Sequence, residues 1–215
     1  MAQLANKHRP GQWSEVVGQD DTVARLTSLR DSRGLNDRAY WITGGSGTGK
    51  TTIAQLIARE IADPACIEEL DATGLTVAEL KDVERTAGVF GMGAKCGRVW
   101  IVNEAHGLRA AVVRQLLVFL DRLPAHCAVI FTTTNEGEAK LFEGQDDANP
   151  LISRCLPVPL ARRDLAKAFA ARARDIARAE GLDGGKTDAQ WLRLVQDNKN
   201  NLRAVLQAVD AGMML

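Results

Sequence analysis

The sequence contains no apolar stretch near the ~18 residues that a bilayer-spanning helix requires. Its first ten residues, Met1 to Pro10, lack the apolar core of a secretory signal. A cytoplasmic protein is the expectation. Charge of one sign is also lacking: 27 Lys and Arg stand against 27 Asp and Glu. The total therefore gives no push toward nucleic acid, although it can hide a local basic stripe. Cysteine is sparse, and Cys66, Cys96, Cys127 and Cys155 form no Cys-x-x-Cys pair. That argues against a zinc module and fits reduced, mostly buried thiols. There are no internal repeats and no low-complexity tract. What is present, 46% hydrophobic and 25% charged residues in a chain of 215, suits a soluble globular protein of one domain or one domain with a small appendage.

Short β-branched apolar runs occur at Ala39–Thr43, Ile67–Leu70, Arg98–Val102, Cys127–Thr133 and Cys155–Val158. Helix-like stretches, Thr51–Ala62, Val77–Thr86 and Ala110–Leu120, lie between the first four. Alternation of this kind, with strands apolar on both faces, predicts a parallel sheet covered by helices, the α/β class. Beyond Leu160 the character changes. Arg162–Glu180 has helical spacing, Gly181 stands where a helix cap falls, and helical segments follow near Asp188–Gln196 and Asn200–Ala211. The expected division is residues 1–160 as an α/β domain and 161–215 as a small helical domain. The polar stretch Glu136–Asn149, with Glu143, Asp146 and Asp147, reads as a surface loop.

The most specific signal is Gly44-Gly45-Ser46-Gly47-Thr48-Gly49-Lys50-Thr51-Thr52, which follows a strand and precedes a helix. It fits G-x-x-x-x-G-K-[ST], a phosphate-binding loop for Mg-ATP. Glycines let backbone N–H groups curl around phosphate oxygens, and the next helix turns its unsatisfied N–H groups to the anion. Lys50 is expected at the β- and γ-phosphates, Thr51 in the Mg²⁺ shell and Thr52 near the α-phosphate. A second site lies at the end of Arg98–Val102, where Asn103 and Glu104 follow. P-loop ATPases usually carry Asp-Glu there. Asn103 keeps an oxygen for a metal-bound water but lacks the charge that hard Mg²⁺ favours. Glu104 remains available as the base that activates water.

These pieces, in their order, resemble the AAA+ ATPases. Among them the chain is similar to clamp-loader subunits of the bacterial gamma/tau and replication factor C small-subunit type. Lys7-His8-Arg9-Pro10 with Val16-Val17-Gly18-Gln19 resembles the family's start, which implies that Arg9, Pro10, Val16 and Val17 border the adenine. Ile67–Thr73 is similar to the second strand. Ala128–Asn135 resembles the strand whose terminal Asn is sensor 1, implying that Asn135 orients the attacking water. Ser153-Arg154-Cys155 matches the Ser-Arg-Cys motif, implying that Arg154 is a finger on ATP held by a neighbouring subunit. Asn200–Leu206 resembles the lid helix, implying that Arg203 is sensor 2 at the γ-phosphate. Taken alone, Arg154 reads more readily as a surface or ion-pair residue and Arg203 as a helix-face charge.

The resemblance implies a five-stranded parallel sheet in the order 5-1-4-3-2, a C-terminal helical lid, ATP or ADP with Mg²⁺, and partners that are other AAA+ subunits in a homo- or hetero-oligomer. It also implies DNA backbone and a sliding clamp as partners, with Lys81, Arg85, Arg109 and Arg114 in the segments that would face DNA. Those four also read as a solvated charged face. Departures are Asn103, the length of the segment between Asn135 and Ser153, the lack of a cysteine-rich insert, and no collar domain after the lid within this sequence. Three functions stay open: an ATPase with a trans arginine finger, a nucleotide-binding regulatory or scaffold subunit with impaired hydrolysis, and a small-molecule kinase on the same loop.

Overall fold

The structure, a computed structural model, describes residues 3–144, 148–161 and 164–214. In chain order it forms α1 (Leu4–Lys7), α2 (Asp20–Arg33), β1 (Arg38–Thr43), α3 (Lys50–Ile61), β2 (Ile67–Asp71), α4 (Val77–Ala87), β3 (Arg98–Asn103), α5 (Ala110–Leu120) and β4 (Cys127–Thr133). It continues through α6 (Asn135–Gly144), α7 (Ala148–Ser153), β5 (Cys155–Pro159), α8 (Leu165–Ala179), α9 (Asp188–Asp197) and α10 (Leu202–Asp210). Short 3-10 turns occur at Trp13–Glu15, Pro64–Cys66 and Ala105–Gly107. By contacts the chain divides into two units. One holds residues 1–23, 45–49 and 160–215, and the other 24–44 and 50–159.

The second unit is built on a five-stranded sheet in the order β2-β3-β4-β1-β5, with every neighbouring pair parallel. This is the expected order read from the other edge. Parallel strands covered on both faces must be apolar throughout, and β4 is buried at all its positions. One face carries Trp41, Trp100, Val102, Val129 and Phe131 into a core shared with Leu80, Val83, Val112, Leu116, Phe119 and Leu151. The opposite face carries Tyr40, Ile42, Ile101 and Ile130, and α3 lies along β1, β3 and β4 with Ile53 and Ile57 buried. The edges are protected chemically. β2 exposes Glu68 and Glu69. β5 carries Pro157 and Pro159, tolerable only where no further strand needs their N–H groups.

The first unit contains α8, α9 and α10, whose apolar faces meet through Phe169, Ala173, Ile176, Trp191, Val195, Val205 and Val209. Gly181 ends α8 in the left-handed region at φ 70°, where only glycine sits without strain, as the sequence predicts. Leu4 of α1 joins this core. Glu180 fastens the same segment by accepting from Lys7 Nζ at 2.7 Å and meeting His8 Nε2 at 2.6 Å. The Lys7 bond, and then His8, hold the Glu180 carboxyl below its usual range.

Two expectations need correction. Glu136–Asn149 is not a loop: α6 and α7 occupy most of it, and Asp146 and Asp147 lie outside the described residues. The helical pattern is anchored where the polar face hides it, because Gly137 and Leu141 are buried and Trp41 Nε1 donates to Glu138 Oε1 at 2.8 Å. Arg162, at the start of the stretch read as helical, is likewise outside the described residues, and α8 begins at Leu165. Helix α2 was not anticipated. Its apolar positions are thin, and Asp20 and Asp21 at its start and Arg30 and Arg33 at its end complement the helix dipole instead.

Phe131 is fully buried, with its ring centroid 5.4 Å from that of Trp41. Phe131→Ala is expected to cost about 3–5 kcal/mol. Urea unfolding followed by circular dichroism should show a lower midpoint with an unchanged slope.

Candidate nucleotide site

Strand β1 delivers the chain through Gly44 into residues 45–49, and α3 starts at Lys50. Gly47 and Gly49 have φ of 71° and 104°, conformations that admit glycine without cost. A Cβ on Gly49 would meet nothing within 4 Å, so the backbone angle rather than crowding requires glycine there. Thr48 Oγ1 donates to the Gly45 carbonyl at 2.8 Å and closes the turn. Lys50 Nζ donates to the Gly44 carbonyl at 3.1 Å, which keeps the ammonium at the loop. The first turn of α3 carries no acidic residue, so no carboxylate occupies the positive end of its dipole.

Within the first unit, residues 45–49 have close neighbours. Asn201 accepts from Ala204 N at 3.1 Å, capping α10, and its Nδ2 donates to Ser46 Oγ at 3.3 Å. A Cβ on Gly47 would collide with the Asn201 side chain. Arg203 follows two residues later, exposed and without a hydrogen bond or ion pair among the described residues. Gln19, only 2% exposed, donates to the carbonyls of Thr48 and Ala161 at 3.3 Å and accepts from Ala161 N at 2.7 Å. Sequence reasoning gave Gln19 no task, and its partners are far away along the chain. Arg9, Pro10, Val16 and Val17 are half-buried in this unit. Arg9 donates to Asn6 Oδ1 at 2.8 Å, and Val17 packs on the core of the C-terminal helices.

Within the second unit, Asn103 ends β3. Its Oδ1 accepts from Thr132 Oγ1 at 2.9 Å and its Nδ2 donates to Glu69 Oε2 at 3.2 Å. A carboxylate only accepts, so the amide nitrogen must be the side that faces Glu69. Glu104 is exposed and sits at φ 54°, ψ 47°, in the left-handed region that non-glycine residues enter uncommonly. Its Oε2 lies 3.5 Å from His106 Nδ1, which is also 3.1 Å from Thr133 Oγ1. Thr133 Oγ1 lies within hydrogen-bond distance of the Thr134 carbonyl as well, at 3.2 Å. The ring occupies space that a side chain at Gly137 would need. His106 is thus a neighbour of Glu104 that sequence reasoning passed over.

Asn135 opens α6 just past β4, and its Oδ1 is buried without a partner among the described residues. Such an atom costs roughly 1–3 kcal/mol unless something donates to it. Arg154 forms a two-pronged pair with Asp121, at 2.7 Å and 3.1 Å, and also donates to the Pro150 carbonyl at 3.0 Å. The Asp121 carboxyl is held below its usual range by that hydrogen bond from Arg154. Of the four cysteines, all free, Cys66, Cys127 and Cys155 are buried and Cys96 is exposed. Burial raises the thiols of Cys127 and Cys155 to about 11 and about 12.

The donor set fits a nucleotide with a hard divalent cation. Within the second unit, Lys50 offers an ammonium and Thr51, Asn103 and Glu104 offer oxygens, with a lone pair on Asn103 Oδ1 beyond the one used by Thr132. Residues 40–155 match the family described as "ATPase family associated with various cellular activities (AAA)". The chain belongs to the AAA family. Its relatives include DNA polymerase III subunit tau of Bacillus subtilis, 26% identical over 95% of this chain and 36% of that protein. Another is the replication factor C small subunit of Methanosarcina acetivorans, 27% identical over 97% of this chain and 60% of that protein. This AAA chain therefore spans between about a third and three fifths of those relatives' length. The Thermotoga maritima RuvB Holliday junction branch migration motor shares its fold, with a TM-score of 0.73 over 94% of this chain and 64% of that one at 18% identity.

Gln19→Ala should leave the Ala161 N–H and the Thr48 and Ala161 carbonyls without these side-chain bonds, at a cost of about 1–3 kcal/mol. Thermal unfolding should fall accordingly. Hydrogen exchange should rise at Ala161, and unchanged exchange there would contradict the assignment.

Proposed function

We propose that this chain is the ATP-binding part of a clamp-loader-type AAA subunit that hydrolyses ATP within an oligomer. The observation that carries the reading is the loop itself: glycines in the left-handed region, and Lys50 held at the Gly44 carbonyl. Residues 44–52 would hold the phosphates of ATP or ADP, with Mg²⁺ met by Thr51 and Asn103. Arg9, Pro10, Val16 and Val17 would border the base. Residues 1–160 would serve as the nucleotide-binding domain and 161–215 as the lid.

Phosphoryl transfer rests on positioning and charge neutralisation. Glu104 is proposed as the base that takes a proton from water, and its exposed, left-handed position leaves the carboxylate free of a strong partner. Asn135 would orient that water, which gives its buried, unpartnered oxygen a donor. Arg203, exposed at the start of α10, would meet the γ-phosphate. Arg154 would reach ATP on a neighbouring subunit, exchanging its exposed pair with Asp121 for the phosphate.

Other AAA subunits are the partners this reading requires. DNA backbone and a sliding clamp follow from the same likeness, and the exposed Lys81, Arg109 and Arg114 suit phosphate contacts that position without reading sequence. Arg85 is already paired with Asp82 at 3.0 Å. No described helix is long and apolar enough to cross a membrane, and a cytoplasmic place of action is proposed.

A second reading, a nucleotide-binding regulatory or scaffold subunit with impaired hydrolysis, is favoured by one observation. The Asn103 amide is engaged on both sides, by Glu69 and Thr132, and brings no charge of its own. The two readings separate by the steady-state ATPase rate per chain, measured with Mg²⁺ as protein concentration rises. The ATPase reading expects the rate to climb with concentration and Arg154→Ala to lower the plateau by on the order of 10³-fold while ATP still binds. A rate that is the same at every concentration and in the variant contradicts the trans finger. Binding without turnover at any concentration establishes the regulatory reading instead.

A further inference from the structure

The negative charge that P-loop ATPases usually place at position 103 has a substitute in this fold. Strands β2 and β3 pair with Glu69 opposite Ile101 and Asp71 opposite Asn103, which puts Glu69, Asp71 and Asn103 on one face of the sheet. Asp71 turns one oxygen to its own loop, where Oδ1 accepts from both the backbone N and the hydroxyl of Thr73, and no bond joins it to Asn103 among the described residues. Glu69 is the carboxylate that reaches across. Oε2 accepts from Asn103 Nδ2 at 3.2 Å, and Oε1 accepts from Gln55 Nε2 at 2.7 Å. Gln55 lies on α3 one turn after Thr51, and residues so spaced stand above one another on one helix face, with Cβ atoms roughly 5–6 Å apart. Glu69 is therefore tied to the helix that carries Thr51 and to the residue that stands where the acid is expected.

We propose that Glu69 supplies the carboxylate for the Mg²⁺ of bound nucleotide, acting on the cation's water shell beside Asn103 and moving the missing charge from β3 to the neighbouring edge strand. The proposal rests on the reading of residues 44–52 as a nucleotide loop. Chemically it fits a cation that keeps several of its waters, since a carboxylate can stabilise those waters without binding the metal directly. Glu69 is a positioning and charge-supplying residue here, and the bonds to Gln55 and Asn103 fix its orientation. A purely structural Glu69, holding α3 to the sheet, is the competing account. The two differ in what a neutral residue of the same shape would do: Gln at 69 keeps one acceptor oxygen for Asn103, and its NH2 can donate to Gln55 once that exposed amide turns over, so both contacts are retained while the charge is removed.

The test uses the intact chain and a fluorescent ATP analogue, with affinity measured in EDTA and across a Mg²⁺ titration. Glu69→Gln is expected to leave the EDTA affinity unchanged and to raise the Mg²⁺ concentration for half-maximal tightening by about tenfold, as outer-shell changes do. The double variant Glu69→Gln/Asn103→Asp returns the charge to β3 and is expected to bring the Mg²⁺ midpoint back to the parent value or below. An unmoved midpoint in Glu69→Gln overturns the proposal. So does an equal loss of affinity with and without Mg²⁺, which is what a structural role predicts. If Glu69→Gln is poorly folded, as read by thermal unfolding, Asn103→Asp alone asks the same question: with a working carboxylate already at 69, a second one facing it adds little, so the midpoint must stay near the parent value, and a fall of about tenfold overturns the proposal. A parent chain that binds no ATP analogue in either condition defeats the nucleotide reading itself, a failure distinct from that of Glu69.

Discussion

A polyphosphate held mainly by backbone N–H groups needs a chain that turns where side chains cannot follow. Gly47 and Gly49 supply that turn, one against Asn201 and the other by its φ of 104°. Everything else in the site is placed by reference to it. β1 must lie inside the sheet, paired on both sides by β4 and β5, so that the strand leading into the turn is held along its length. Helix α3 must begin at once so that its N-terminus and Lys50 adjoin the turn. The buried Gln19, bonded to Thr48 and Ala161, anchors the loop within its own unit.

Much of the sheet was legible in the sequence because its signal is local. Runs such as Cys127–Phe131, closed by two β-branched threonines, show the near-continuous apolar pattern of a strand covered on both faces. The loop was legible for a similar reason, since its glycines and lysine lie within nine residues. What escaped was set by register and distance. Glu69 and Asn103 are 34 residues apart and meet only because β2 and β3 pair in one register. Gln19 and Ala161 are separated by 142 residues. Helix α2 was hidden by its charge, and α6 was hidden by acidic residues that mask the buried Gly137 and Leu141.

The same distance effect alters how Asn103 is understood. Read as a single position, it is a loss of charge. In the fold it is a junction, with one side fixed by Thr132 and the other by a carboxylate from the next strand. An Asp at 103 facing an unchanged Glu69 would set two carboxylates against each other, which disfavours charging both. The pairing thus explains why Asn is compatible with this neighbour. Arg154 shows a parallel economy: its partner Asp121 satisfies an exposed guanidinium, and exposed pairs of this type are weak enough to be exchanged for a phosphate.

The central claim is that residues 44–52 wrap the phosphates of an adenine nucleotide, with Lys50 supplying the balancing charge. Calorimetric titration of ATP into the parent chain and into Lys50→Ala tests it most directly. The account predicts saturable binding by the parent and a loss of at least about tenfold in the variant, since hydrogen bonds to charged groups contribute roughly 1.5–3 kcal/mol. Equal affinity in the two proteins would contradict it.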